Sequence, residues 1–268
     1  MSQKYEPHVA TLLYGEPGAG KTFLGCSSFY DYGRQKLIAN GKLITFGAED
    51  NPVLGIPEEC RMIGNNTSLR LTVNPDKPQE FLNTLKLILM RIMKDAKEGN
   101  PLDVLVIDSI SELNWMFQST DTKEGYAKWL GLRDEFYSLV SSAHPSALGC
   151  STIITARVRA PNEDDPSYRN YKYYPAIDGS FRQQLGAYFG MVLYQEAVAM
   201  QATEGPYKGK RIPVHLIHML QGGDFLVKNQ YEHNWMTKEL PITVENPIWP
   251  VLWSLLTGSN LIIPKEEE

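Results

Sequence analysis

A run of residues near the start of the chain has the types and spacing of a phosphate-binding loop, G-x-x-x-x-G-K-[ST]. Glycines let the backbone turn tightly so that successive N–H groups point inward, and the positive end of a following helix adds to their field. Lys21 would contact the β- and γ-phosphates, and the Thr22 hydroxyl would bind Mg²⁺. The alternative is a glycine-rich turn that happens to precede Lys-Thr. The predicted nucleotide-binding residues are Gly15, Glu16, Pro17, Gly18, Ala19, Gly20, Lys21, Thr22 and Phe23.

A second element with metal chemistry follows near the middle of the chain. Residues 104–107 are an apolar run that ends in Asp108, which is the form of a Walker B strand. Such an aspartate lies beside the phosphate-binding loop and holds Mg²⁺, often through water. We therefore expect Thr22 and Asp108 to be the metal residues, with ATP and Mg²⁺ as cofactors. The alternative is an aspartate that only terminates a strand.

The residue after Asp108 is Ser109, so no glutamate stands where many P-loop ATPases carry their catalytic carboxylate. Another acid must then orient the attacking water. Glu49 is the first candidate and Asp50 the second, because both follow a predicted strand whose carboxyl end faces the same crevice. The alternative is a solvated acidic turn.

An arginine stands at the end of another apolar run. Arg157 follows residues 151–156, and at this strand end it could sense a γ-phosphate in its own chain or in a neighbouring subunit. The alternative is a surface arginine. The predicted catalytic residues are Lys21, Glu49, Asp108 and Arg157.

Alternating strands and helices must position these groups. Apolar runs predict strands at residues 9–14, 42–46, 61–63, 69–73, 102–107, 151–156, 188–194 and 212–218. Helices are predicted at residues 21–32, 78–97, 124–142 and 248–256. Gly205 and Gly209 indicate a hairpin between the last two strands. His215 and His218 are three apart in a predicted strand, so they face opposite sides and are not joint metal ligands.

The alternation predicts an α/β fold with a mainly parallel sheet and helices on both faces. We expect one domain over residues 1–268, with a core at about 9–220 and a C-terminal β-hairpin extension at about 221–268. The chain contains no run of 18 apolar residues, which excludes a membrane helix. Its three cysteines form no C-x-x-C pair, which indicates reduced thiols, a cytoplasmic protein and no zinc site.

These motifs, in this order, resemble the RecA family of ATPases, and more closely its compact phage-encoded single-strand annealing members. The segments that carry the resemblance are residues 15–22, Glu49, residues 104–109, residues 153–157, residues 174–179 and residues 189–192. The resemblance implies a RecA-like P-loop NTPase core, ATP hydrolysis, and action on single-stranded DNA in recombination or annealing. It also implies a homo-oligomer, a single-strand-binding protein as a partner, and the host cytoplasm. Arg157 departs from RecA, which has a glutamine there.

A polar and aromatic segment after Arg157 is where the resemblance places DNA contact. Cations beside aromatic rings suit single strands, because charge follows the backbone while rings stack on bases. Three acids, Glu163, Asp164 and Asp165, oppose this, and a polar loop that covers the domain is the alternative. The predicted DNA-binding residues are Arg159, Tyr168, Arg169, Tyr171 and Lys172.

A dedicated duplex-DNA-binding protein is usually basic overall, so the net charge of −5 disfavours nucleic acid as a partner, and any DNA site must be local. The same charge favours a second function, a nucleotide-gated ATPase that controls a protein partner without touching DNA. A small-molecule kinase is a third interpretation, but it requires a lid with several arginines that we do not find.

Overall fold

The computed structural model describes residues 7–45, 55–57, 60, 78–120, 134, 136–159, 173–177, 187–220, 224–230 and 243–257. Its strands are β1 (Ala10–Gly15), β2 (Tyr30–Asp31), β3 (Lys36–Leu37), β4 (Gly41–Thr45), β5 (Val104–Asp108), β6 (Ser151–Arg159), β7 (Tyr174–Pro175), β8 (Met191–Gln201), β9 (Arg211–His218), β10 (Lys228–Asn229) and β11 (Thr243–Glu245). Its helices are α1 (Lys21–Cys26), α2 (Pro78–Lys97), α3 (Ile110–Thr120), α4 (Pro145–Leu148) and α5 (Trp249–Thr257), and residues 136–142 are also helical.

The centre of the molecule is one sheet. Strands β4, β5, β6, β1 and β8 lie side by side in that order and are all parallel. Beyond β8 the sheet becomes antiparallel, because β9 pairs with β8 and β11 pairs with β9. The fold is therefore α/β with a mostly parallel central sheet.

Helices cover both faces of this sheet. On one face, α2, α4 and residues 136–142 pack on side chains such as Leu12, Leu105 and Ile154. On the other face, α1 and α5 pack on Leu13, Val106 and other strand residues. Every residue of β1 is buried, as parallel strands covered on both sides require. The predicted layer arrangement is thus confirmed.

The topology creates a switch point beside β1. From β1 the chain passes through α1 to β4, at the far edge of the parallel strands. From β6 the chain passes to β8, on the opposite side of β1. Connections that leave neighbouring strands in opposite directions open a crevice at their carboxyl ends, which is where α/β proteins bind ligands.

Helix α1 is shorter than predicted. The structure ends it at Cys26, whereas the apolar pattern predicted a helix to residue 32. The Ser27 hydroxyl donates to the Leu24 carbonyl at 2.7 Å, and the Ser28 hydroxyl donates to the Gly25 carbonyl at 2.6 Å. Side chains that satisfy the last carbonyls favour termination, and the chain then turns into the small β2–β3 hairpin.

The C-terminal part also differs from the prediction. Strands β8 and β9 form the expected hairpin, with Gly205 and Gly209 in its turn at positive φ. A second hairpin was predicted after residue 220. Within the described residues, however, β10 pairs with β8 and β11 pairs with β9, so each covers an existing strand instead of pairing with the other. Pairing of this kind covers part of the otherwise unpaired edges of β8 and β9.

None of the helices in the described part of the chain is long and apolar enough to cross a membrane. The predicted strands at 61–63 and 69–73 lie outside the described residues.

Candidate functional site

The predicted phosphate-binding loop connects β1 to α1, at the switch point of the sheet. Gly18 and Gly20 have φ values of +79° and +88°, a conformation that side chains disfavour. Gly15 lies against β8, and a Cβ there would come within 1.8 Å of the Gln195 carbonyl oxygen. Glycine is therefore required at these positions by conformation or by close approach.

The side chain of Lys21 folds back onto the loop and contacts its first residues. The Lys21 ammonium donates to the Gly15 carbonyl at 3.0 Å and to the Glu16 carbonyl at 2.8 Å. Residues 16–18 are exposed and Ala19 is buried, so the loop presents its outer turn to solvent. Phe23, the last predicted nucleotide-binding residue, stacks on Tyr32 with ring centroids 4.3 Å apart.

Two hydroxyls and one carboxylate meet beside this loop. The Thr22 hydroxyl donates to Asp108 Oδ2 at 2.5 Å, and the Thr155 hydroxyl donates to Asp108 Oδ1. Asp108 ends β5 and Thr155 lies in β6, its parallel neighbour. The structure thus brings together the two predicted metal residues and adds Thr155, which we did not predict. A hydroxyl within the otherwise apolar stretch Ile153–Ile154–Thr155–Ala156 was the available signal.

The oxygen atoms of this cluster fit Mg²⁺. Magnesium is usually held by one or two carboxylates, with water and substrate phosphates completing its octahedron. Zinc and other cage-bound metals need three or more His, Cys, Asp or Glu ligands, and the described residues contain no such group. Thr22 and Asp108 would hold the ion, which would neutralise charge on bridging phosphate oxygens.

Arg157 lies opposite the start of the loop, since it pairs in register with Gly15. Its backbone N–H donates to the Ser111 hydroxyl at 2.9 Å, and its guanidinium forms an ion pair with Glu112. Ser111 and Glu112 belong to α3, a helix that we did not predict. Strand β6 continues to Arg159, so Arg157 lies within the strand, two residues before its end, and not directly after it as predicted.

An open cleft of about 580 Å³ lies beside Arg157. Trp115 is 52% exposed, so part of a large aromatic residue is accessible there. Arg159, a predicted DNA-binding residue, also contributes to the wall. The lining residues are Ser111, Glu112, Asn114, Trp115, Arg157, Arg159 and Ala176.

Several predicted site residues lie outside the part of the chain that the structure describes. These are Glu49, Asp50, Tyr168, Arg169, Tyr171 and Lys172.

Two side chains from the later strands also approach the loop. His215 Nδ1 lies 2.9 Å from the Ala19 carbonyl oxygen. A Cβ placed on Gly20 would lie 3.2 Å from that ring nitrogen and 3.3 Å from Gln195 Nε2. His218 faces away and contacts Glu196 at 2.8 Å, which confirms that the two histidines point to opposite sides.

Neither protein-family models nor curated protein sequences give a match to this chain.

Proposed function

We propose that this chain is a RecA-like P-loop ATPase. It binds ATP with Mg²⁺ at the carboxyl ends of β1, β5 and β6, and it hydrolyses the γ-phosphate bond. The observation that carries the proposal is the contact between Thr22 and Asp108, because it joins the end of a phosphate-binding loop to a carboxylate that ends a buried parallel strand. A glycine-rich turn that binds no ligand would not require a carboxylate beside the threonine that follows it.

Each residue has a distinct task in this proposal. Inward-pointing amides of the loop and the Lys21 ammonium hold the phosphates. Thr22 and Asp108 hold Mg²⁺, and Thr155 orients Asp108. Arg157 supplies positive charge as charge grows on the transferred group. Glu49 is assigned the water-activating role because of its predicted strand-end position.

Single-stranded DNA is the proposed macromolecular substrate, and recombination or annealing the proposed process. The cleft supports this, since it combines an exposed tryptophan with Arg159, beside the ion pair of Arg157 with Glu112. Aromatic rings stack on unpaired bases, and guanidinium groups pair with phosphates. Assembly into a homo-oligomer, with action in the cytoplasm and a single-strand-binding protein as a further partner, belongs to the same proposal.

The decisive experiment measures ATP affinity and turnover for the wild type and for Lys21→Ala, with and without single-stranded DNA, across a salt series. We expect wild-type binding that requires Mg²⁺, stimulation of turnover by DNA, and loss of tight ATP binding in a folded Lys21→Ala protein. Equal ATP affinity in the two folded proteins would overturn the nucleotide site. ATP turnover without any DNA binding at low salt would favour the nucleotide-gated interaction protein, which the net charge of −5 supports.

A further inference from the structure

The antiparallel part of the sheet touches the phosphate-binding loop through one side chain. His215 in β9 lies 2.9 Å from the Ala19 carbonyl oxygen through Nδ1. A carbonyl oxygen only accepts hydrogen bonds, so the proton must be on Nδ1 and the imidazole must be the donor. Ala19 is completely buried, and its contact with the half-buried His215 ring is partly shielded from solvent.

The position of His215 is itself fixed by Asn246, the residue that follows β11. Its backbone N–H donates to the Asn246 side-chain oxygen at 3.0 Å, and the Asn246 N–H donates back to its carbonyl at 2.6 Å. Asn246 has a φ of +42°, in the left-handed region that asparagine tolerates better than most residues. Two reciprocal hydrogen bonds therefore hold the strand from which the imidazole projects.

The other end of α1 is held by the same part of the chain. The Trp249 N–H donates to the Ser27 hydroxyl at 2.8 Å, directly after the last residue of α1. The Trp249 ring is fully buried, in the cluster that also contains Leu24 and Cys26. Residues after 211 thus secure the loop before α1 through His215 and the turn after α1 through Trp249.

We propose that His215 is a positioning residue that holds the phosphate-binding loop in its ligand-binding shape. The inference rests on the proposed function, because it concerns the affinity of that site for ATP. A loop that is already ordered loses less conformational entropy when a ligand binds, so the affinity is higher. His215 contacts the loop carbonyl and not the reacting phosphate, so its effect is on binding and not on the chemical step.

The test compares three variants. In His215→Ala we expect the Kd for ATP to rise about five- to tenfold, the scale of one lost hydrogen bond, while turnover at saturating ATP stays within about twofold. His215→Asn should recover most of the affinity, because its side-chain N–H occupies nearly the position of Nδ1. His218→Ala is the matched control on the same strand, and its Kd should equal that of the wild type.

A second measurement needs no nucleotide. Hydrogen exchange at the backbone amides of residues 15–22 should become faster in His215→Ala and remain unchanged in His218→Ala. If folded His215→Ala protein has the same Kd for ATP and the same hydrogen-exchange rates as the wild type, the inference is overturned and the ATP site is left intact. Equal losses in both alanine variants, or no recovery in His215→Asn, would reduce His215 to a general stabilising residue and would also overturn it. A wild type that fails to bind ATP would overturn the proposed function first.

Discussion

Asp108 illustrates how one carboxylate is prepared for a metal by its neighbours. Each of its oxygens accepts a hydrogen bond from a threonine, one on α1 and one on β6. Two bonds from different elements fix the rotation of the carboxylate. An orienting partner of this kind affects metal affinity strongly even though it does not touch the ion.

Thr155→Val tests this role. The substitution keeps the shape of the side chain but removes the hydroxyl, so we expect Mg²⁺-dependent turnover to fall by about tenfold or more, the scale for lost outer-shell partners. Thr152→Val is the matched control, because Thr152 lies in the same strand, is equally buried, and has a hydroxyl with no hydrogen-bond partner among the described residues. The measurement is the Mg²⁺ concentration at half-maximal turnover, which should rise in Thr155→Val and stay at the wild-type value in Thr152→Val. The same Mg²⁺ dependence in both variants would contradict the role of Thr155.

Arg157 yields a second prediction at the same scale. Charge on the γ-phosphate grows in the transition state, so Arg157→Ala should lower turnover more than ATP affinity. Its ion pair with Glu112 is substantially exposed, so the free energy of unfolding should change by less than about 1 kcal/mol. Arg91→Ala, at an exposed helical arginine with an acidic partner, is the control. A loss of ATP affinity as large as the loss of turnover would contradict a transition-state role.

At the scale of elements, α2 is the one that the sequence predicts best. The structure reproduces its limits, and its apolar residues recur three and four apart so that Leu82, Leu85 and Leu89 are buried together. Leu87 lies on the same helix but is 64% exposed. The same helix therefore contains a buried leucine, Leu85, and an exposed leucine, Leu87.

This pair gives the third prediction. Leu85→Ala should reduce the free energy of unfolding by about 2–5 kcal/mol, because it opens a cavity in a closed core. Leu87→Ala should change it by less than about 0.5 kcal/mol, as exposed substitutions usually do. Chemical denaturation followed by circular dichroism measures both. Comparable effects of the two substitutions would mean that α2 packs by a different face.

Other elements escaped prediction for identifiable reasons. Only Ser109 separates β5 from helix α3, and polar residues interrupt the short apolar pattern of that helix. Ser109 and Glu112 do have the spacing of a capping box, and the Glu112 N–H points to the Ser109 hydroxyl at 3.4 Å. That signature could have revealed the helix. By contrast, no local pattern indicates that His215 meets Ala19, because their contact depends on how β8 and β9 join the parallel strands.

At the scale of the whole molecule, the net charge is the main constraint on a DNA partner. A chain with a net charge of −5 repels a polyanion at long range, so binding must depend on a local arrangement of cations and rings. The cleft with Trp115, Arg157 and Arg159 is such an arrangement, and one of its arginines, Arg157, is the predicted catalytic residue. Nucleotide and DNA would then bind at the same end of the parallel strands.

The fourth prediction concerns this cleft. Trp115→Ala should weaken binding of single-stranded DNA by about tenfold or more, because stacking contributes about 1–3 kcal/mol per base. Arg159→Ala should make the salt dependence shallower by about 0.7 log unit per decade, the value for one lost phosphate contact. Tyr207→Ala removes an exposed aromatic ring from the β8–β9 turn and serves as the control. Fluorescence anisotropy with a labelled oligonucleotide measures the DNA affinity of all three variants. An unchanged affinity in Trp115→Ala would exclude the cleft as the DNA-binding site.

The burial of every cysteine has a practical consequence for observing this protein. Cys26, Cys60 and Cys150 are all buried. Burial raises the pKa of the Cys26 thiol, with the charge of Asp108 adding to the effect, and burial raises the pKa of Cys150 to about 12. Since a maleimide must reach the sulfur and reacts with its thiolate, the buried native thiols should stay unmodified at neutral pH. A single Tyr207→Cys substitution at the exposed hairpin turn would then accept a dye selectively, with all native cysteines left in place.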